Sequence, residues 1–309
     1  MRFRILAALA LAALLARPAS AQSKLKVEKL ADGVWAATPN KGANVGWFVL
    51  GDGVVAVDAG ADAAIGAEIL KSIAETTGGK PVRTLVITHA HGDHSGGARV
   101  FTAAGARVVC QEGVAGQILG AVLPPATDSA DAAGKPGARP VVESISERAI
   151  LVDGIHNVQI YFLGAAHTRG DLVVYLANDK ILFAGDLALN GLMPFLQSAD
   201  VDPDGWERAL QALSRVRVEK MVPGHGEIGP ATGINDSLAY LGAVNRLAKR
   251  LLDTGAPDST LEIQIRAPEN TIKNVPPNDQ HVANVMAAVR VEREKTARKS
   301  TPTPTPAKK

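Results

Sequence analysis

The chain has 309 residues, of which 46% are hydrophobic and 21% charged, enough to bury a substantial core and too apolar for wholesale disorder. Its formal charge of +2 becomes −1 once Arg2, Arg4 and Arg17 of a candidate leader are set aside, because 30 basic residues then face 31 acidic ones. A near-neutral chain with 4% aromatics lacks the footprint and stacking surfaces of a nucleic-acid binder, and its single cysteine excludes an internal disulfide.

Arg2 and Arg4 precede twelve apolar residues, Ile5 to Ala16, and Ala19-Ser20-Ala21 offers a small-residue cleavage site before Gln22. This layout predicts a signal peptide over residues 1–21 and hence a periplasmic or secreted protein. The apolar run falls short of the about 20 residues that cross a bilayer, so no membrane span is expected after cleavage. Val45 to Leu50 and Val54 to Val57 read as strands joined at Gly51-Asp52-Gly53. Ile65, Ile69, Leu70 and Ile73 recur at helical spacing until Gly78-Gly79. Leu85 to Ile87 is a short buried strand. Cys110 follows Arg107-Val108-Val109 and is expected to be an inert core thiol. Residues 120–140, rich in Pro, Ala and Gly, read as a surface insertion.

Strand signals resume at Val158 to Phe162, Leu172 to Leu176 and Ile181 to Phe183. Asp202-Pro203 opens a helix with Trp206, Leu210 and Leu213 on one face. Lys220 to Val222 is a further strand, and Ile234, Leu238, Leu241, Ala248 and Leu252 mark a long helix. Residues 22–295 are read as one catalytic domain, and residues 296–309, ending in alternating Thr and Pro, as a disordered tail. A weak echo links the halves. Strands end at Asp58 and His89 in the first and at Asp186 and His225 in the second, a pattern that delivers polar groups to one sheet edge.

The strongest local signal is Thr88-His89-Ala90-His91-Gly92-Asp93-His94, in which three imidazoles and a carboxylate lie within six residues after a buried strand. Desolvating such a cluster is costly without a cation, and these are ligand types that suit zinc. His167, Asp186 and His225 each stand at a further strand end. Seven ligands exceed one tetrahedral site and suit two metals sharing one ligand. His156 and His281 fit no such pattern and are read as structural or exposed.

His89-Ala-His91-Gly-Asp93-His94 with His167, Asp186 and His225 resembles the complete metal motif set of the metallo-β-lactamase superfamily. The resemblance runs from about residue 28 to about residue 255. It implies an α/β (α+β) fold, a four-layer αββα sandwich of two mixed β-sheets flanked by helices. It further implies that His89, His91 and His167 bind one metal, that Asp93, His94 and His225 bind a second, and that Asp186 bridges them. Asp58 matches the strand-end aspartate that orients the metal-binding loop.

Two zinc ions, with iron as the alternative, would make a bridging hydroxide available as nucleophile, with Asp93 as the orienting base and proton carrier. True β-lactamases of this superfamily carry a cysteine, or no ligand, where Asp186 stands. A bridging carboxylate lowers Lewis acidity, so a thiolate or alkoxide leaving group suits this set better than an amide nitrogen. The sequence therefore resembles the thioesterase branch, like glyoxalase II, and predicts a small-molecule thioester, ester or lactone as substrate. A periplasmic β-lactamase and an iron-dependent persulfide redox protein are the alternatives. Residues Asn40 to Trp47 are expected to form a flap over the site, and Leu187 to Gln197, with Asn190, Pro194 and Phe195, the opposite wall.

Overall fold

Alternation of side chains along each strand decides how the layers stack. The computed structural model describes residues 25–123, 140–153, 156–255 and 257–300. The candidate leader, most of the expected insertion and the Thr-Pro repeat lie outside them. Strands β1 (Lys26–Ala31), β2 (Val34–Thr38), β3 (Val45–Leu50) and β4 (Gly53–Val57) form an antiparallel meander. Helix α1 (Ala63–Thr77) returns the chain to β5 (Val82–Val86), parallel to β4. Short helices α2 (Gly92–Ser95) and α3 (Ala98–Ala103) lead into β6 (Arg107–Gln111), and α4 (Ala115–Val122) precedes β7 (Val142–Ile145); both strands extend the parallel half. The result is a mixed seven-stranded sheet in the order β1-β2-β3-β4-β5-β6-β7.

The second sheet begins with β8 (Arg148–Val152), β9 (Asn157–Phe162), β10 (Leu172–Leu176) and β11 (Ile181–Gly185), all antiparallel. Helix α5 (Pro203–Leu213) crosses over to β12 (Lys220–Pro223), parallel to β11. The order is β12-β11-β10-β9-β8. Helices α6 (Thr232–Asp253), α7 (Asp258–Arg266) and α8 (Asp279–Ser300) follow.

Three apolar cores separate four layers. Val55 and Val57 of β4 point one way, with Phe48 and Val86, into a core shared with Ile160, Val174, Ile181 and Phe183 of the second sheet. Val54 and Ala56, one residue out of phase, face Ile65, Ile69 and Ile73 of α1 and Phe101 of α3. On the far side, Val173, Leu182 and Ala184 meet Trp206 and Leu210 of α5, Leu241 and Val244 of α6, and Val285 and Val289 of α8. Helices, sheet, sheet, helices is the αββα sandwich expected from the sequence.

Local chemistry sets the element ends. Asp62 caps α1 by accepting from the N–H groups of Ala64 and Ile65 at 3.0 Å. Gly78 ends that helix in the left-handed region, φ 68°, where a β-carbon is penalised, and returns its N–H to Ala74. Cys110 is fully buried, and burial pushes its thiol up to about 11, in keeping with an inert core residue. His281, expected to be structural or exposed, is buried with its Nδ1 3.2 Å from the Tyr240 hydroxyl. His156 is buried as well, 2.9 Å from Asp179.

The parallel pairs β4–β5 and β11–β12 end on the same edge of the sandwich. Asn44 there donates its N–H to Gly224 at 2.7 Å, which joins the two sheets directly.

Candidate metal centre

Loops leaving those four strand ends, with the loop into β10, carry every predicted ligand. Two groups form: His89, His91, His167 and Asp186, and Asp93, His94 and His225, each with its donor atoms within 4.8 Å of one another. Asp186 touches both. Its Oδ2 lies 3.4 Å from His167 Nε2, 4.0 Å from His89 Nε2 and 3.7 Å from His225 Nε2, while its Oδ1 lies 3.3 Å from His94 Nε2. Asp93 Oδ2 lies 3.0 Å from His225 Nε2. All seven residues singled out in the sequence are therefore brought together.

Proton counting explains what the cluster accommodates. The Thr88 hydroxyl donates to Asp58 Oδ2 at 2.9 Å, so its oxygen receives the Nδ1–H of His89 at 3.2 Å. His167 Nδ1 donates to the Phe195 carbonyl at 3.2 Å, and His91 Nε2 pairs with the Ser198 hydroxyl at 3.2 Å. His89 and His167 thus spend their protons on outer partners. Their inner Nε2 atoms are left as lone pairs, and His91 Nδ1 lies 3.0 Å from each of them. A single proton on His91 can serve only one of those two acceptors well, whereas a cation among the three nitrogens would satisfy all of them.

The same holds on the second side. His94 Nδ1 gives its proton to Asp58 Oδ2 at 2.8 Å. Its Nε2 and Asp186 Oδ1 are buried face to face without a hydrogen bond. Two orphaned buried acceptors fit a divalent cation. A β-carbon on Gly224 would overlap Asp186 Oδ1, so this glycine leaves the space in which the carboxylate sits.

The electrostatics agree with ligand chemistry. Burial, with the neighbouring imidazoles, holds His89 well below its usual range and pulls His167 down to about 4, so both rings are neutral. Burial alone would raise Asp186, but His94, His89 and His167 hold it well below the carboxylate range. His94 goes the other way: burial opposes its charge, but Asp58 and Asp186 outweigh burial and raise it well above its ordinary value. A bound divalent cation would take the place of that proton.

Asp58 is the organiser. It holds φ 62°, a left-handed conformation that Asp tolerates better than most residues, and accepts the Thr88 N–H at 2.8 Å besides the Thr88 hydroxyl and the His94 ring. Asp58→Asn keeps the shape and removes the charge. Zinc affinity measured by chelator competition is expected to fall about 10–100-fold with the circular dichroism spectrum unchanged; an unaltered affinity would show that the carboxylate orients nothing.

Several supporting residues carry no sequence signal. Asp171 accepts the Thr168 N–H and hydroxyl at 2.8 and 2.9 Å and so stiffens the turn that bears His167. Asn44 donates its side chain to the Pro223 and Gly226 carbonyls, both at 2.9 Å. Asn44 is thereby buried against the His225 turn, and Ala43 donates its N–H to the Asp93 carbonyl at 3.5 Å, so the stretch expected to form a flap is anchored to both ligand-bearing loops. The opposite wall lies where expected, with Leu189, Leu192, Met193 and Phe195 facing the cavity, whereas Asn190 pins its own loop by donating to the Glu227 and Pro230 carbonyls. Gln280, from the start of α8, also lines the cavity and was not foreseen.

Comparison with known proteins follows this geometry. A family model described as the metallo-beta-lactamase superfamily matches residues 39–225, more than half of the chain. A metallo-beta-lactamase type 2 from Bacillus cereus is 27% identical over 180 residues, which span 57% of this chain and 64% of that relative's length. A second one, from Elizabethkingia meningoseptica, is 26% identical over 230 residues, 70% of this chain and 84% of the relative. Among solved structures, a metallo-beta-lactamase from Pontibacter korlensis superposes with a TM-score of 0.58 at 28% identity, covering 71% of this chain and 99% of that one. The FIM-1 metallo-beta-lactamase of Pseudomonas aeruginosa, solved in a mono-zinc form, has a TM-score of 0.55 at 21% identity over 71% of this chain and 95% of its own, a likeness of fold.

Proposed function

The chain belongs to the metallo-beta-lactamase superfamily, and from that premise we propose that it is a secreted, binuclear metal-dependent hydrolase acting on a small thioester, ester or lactone. The observation that carries the reading is the Asp186 carboxylate, which reaches both ligand groups, His89 and His167 of one and His94 and His225 of the other. His89, His91 and His167 would hold the first ion, Asp93, His94 and His225 the second, and Asp186 would be shared between them. Zinc is the ion this imidazole and carboxylate set suits best. When bound, such ions acidify water and polarise the carbonyl under attack.

The chain's own groups then do the rest. Outer partners fix the protons of His89, His94 and His167, so their inner nitrogens are committed as ligands. Asp93, half-exposed at the cavity floor and paired with His225, is the carboxylate placed to take up a proton from water and pass it to the leaving atom. A carboxylate in the shared position tempers Lewis acidity, which favours thiolate and alkoxide leaving groups over an amide nitrogen. The leader over residues 1–21 supports export. Among the described residues, no helix is long and apolar enough to cross a membrane.

Hydrolysis of a β-lactam ring is the second reading, favoured by the names of the relatives above. One experiment separates them. Purified protein is expected to carry two zinc ions per chain, to turn over S-lactoylglutathione or a simple ester, and to lose that activity on chelation. Turnover of nitrocefin with no thioester or ester cleavage would replace the first reading by the second. One iron per chain and no hydrolysis would remove both in favour of sulfur redox chemistry.

A further inference from the structure

The cavity beside the ligand cluster, about 480 Å³, has two unlike sides. One is the ligand set itself. The other is apolar: Leu189, Leu192, Met193 and Phe195, with the Gln280 amide at its margin. Among the described residues, no lysine or arginine lines it. Leu192 is 52% and Phe195 48% exposed, so two large apolar side chains stand in water in the cavity that His91, His167 and His225 also line. Left to itself, a loop carrying such residues would turn them inward.

This loop is held from turning. Asn284, fully buried on α8, donates to the Pro194 carbonyl at 2.7 Å and to the Tyr240 hydroxyl at 2.8 Å. Its Oδ1 accepts the Leu196 N–H at 3.1 Å and the Gln197 amide at 2.8 Å. The residues on either side of Phe195 are thus pinned to a helix that lies beyond the stretch matched by the family model. Phe195 itself offers its carbonyl to His167. The wall is presented and rigid, which lowers the ordering cost of any ligand laid against it.

We propose that this wall binds an uncharged, apolar acyl group of the substrate, and that Asn284 is the positioning residue that keeps the wall open to receive it. The inference rests on the hydrolase reading above and narrows it: a substrate whose acyl group ends in a carboxylate finds no lysine or arginine here, whereas an aliphatic or aryl chain finds Leu192, Met193 and Phe195 lining the same cavity as the ligand set.

The test uses the zinc-loaded full chain and p-nitrophenyl esters from acetate to octanoate. A methylene moved fully from water onto an apolar surface is worth about fourfold in affinity, so kcat/KM is expected to rise about two- to fourfold per methylene, and the hemisuccinate ester to fall below the butyrate. Neutral amides from acetamide to octanamide, followed by calorimetry, provide a readout independent of turnover; affinity is expected to climb with chain length with an increasingly negative heat-capacity change. Leu192→Ser and Phe195→Ser, both at half-exposed positions, are expected to lower the octanoate-to-acetate ratio by about tenfold each. A flat chain-length series, or an unchanged ratio in both variants, overturns the proposal while leaving hydrolysis intact. No ester cleavage, with amide affinity still rising, overturns the hydrolase reading and supports the wall. Flat affinity together with no cleavage overturns both.

Discussion

Substituting alanine for Asp186 is expected to lower kcat/KM by about a thousandfold, equivalent to ~4 kcal/mol of transition-state stabilisation, and to cut bound zinc from two ions to one. The reason lies in the number of partners that one carboxylate serves. His89, His94, His167 and His225 all have an inner nitrogen within 4.0 Å of its oxygens. No other carboxylate among the described residues reaches both ligand groups. Without it, Asp93 is the one carboxylate left beside the inner nitrogens of His94 and His225, and a second ion would lose a charge that offsets its own. The fold should tolerate the change, because Asp186 is a buried anion at a strand end whose removal leaves no apolar gap. Elemental analysis and an ester assay check both halves, and full two-ion occupancy in the variant would sink the bridging assignment.

Trp206→Ala is expected to be the most destabilising single change near the site, at about 3–5 kcal/mol, or roughly 6–20 °C in Tm. Trp206 is fully buried on α5 and donates its Nε1–H to the Leu187 carbonyl at 2.8 Å. Truncation empties a large volume and strands that carbonyl, so the transfer and hydrogen-bond losses act together. The indole also meets the His167 ring edge-on, with centroids 5.1 Å apart. Zinc affinity should therefore fall along with stability. Trp206→Phe retains the ring and gives up the N–H alone, and should recover most of the lost Tm in a thermal melt. Equal losses in the two variants would show that the hydrogen bond, and not the filled space, is what matters.

The ligands were legible for a physical reason. His89 to His94 concentrate groups that no apolar core would accept unpaired, and Asp186 and His225 each follow a readable strand; His167, expected at a strand end, instead lies midway along the loop between β9 and β10. Layering was legible too, because Val54 to Val57 and Ile181 to Ala184 are apolar on both faces, as strands buried between two layers must be. What escaped lies in side chains whose partners are backbone groups. Asn284 sits among Val282, Val285 and Ala287 in a helix without a clean polar face, and its partners at Pro194 and Leu196 are some ninety residues away. Asn44 likewise reaches across 179 positions to the Pro223 carbonyl, and a Gly-containing stretch around it reads equally well as a mobile cover. A hydrogen bond to a carbonyl leaves no trace in the composition of the segment that provides it. Edge strands β1 and β8, exposed along much of their length, show little of the apolar run that marks the central strands.

His89, His91, Asp93 and His94 descend from the seven-stranded sheet, while His167, Asp186 and His225 descend from the five-stranded one. Neither sheet alone owns a complete set for either ion. A complete ligand set for either group therefore exists only once both halves of the sandwich have docked. An ion seated there would tie the two halves together, so its binding energy would add to the stability of the docked sandwich.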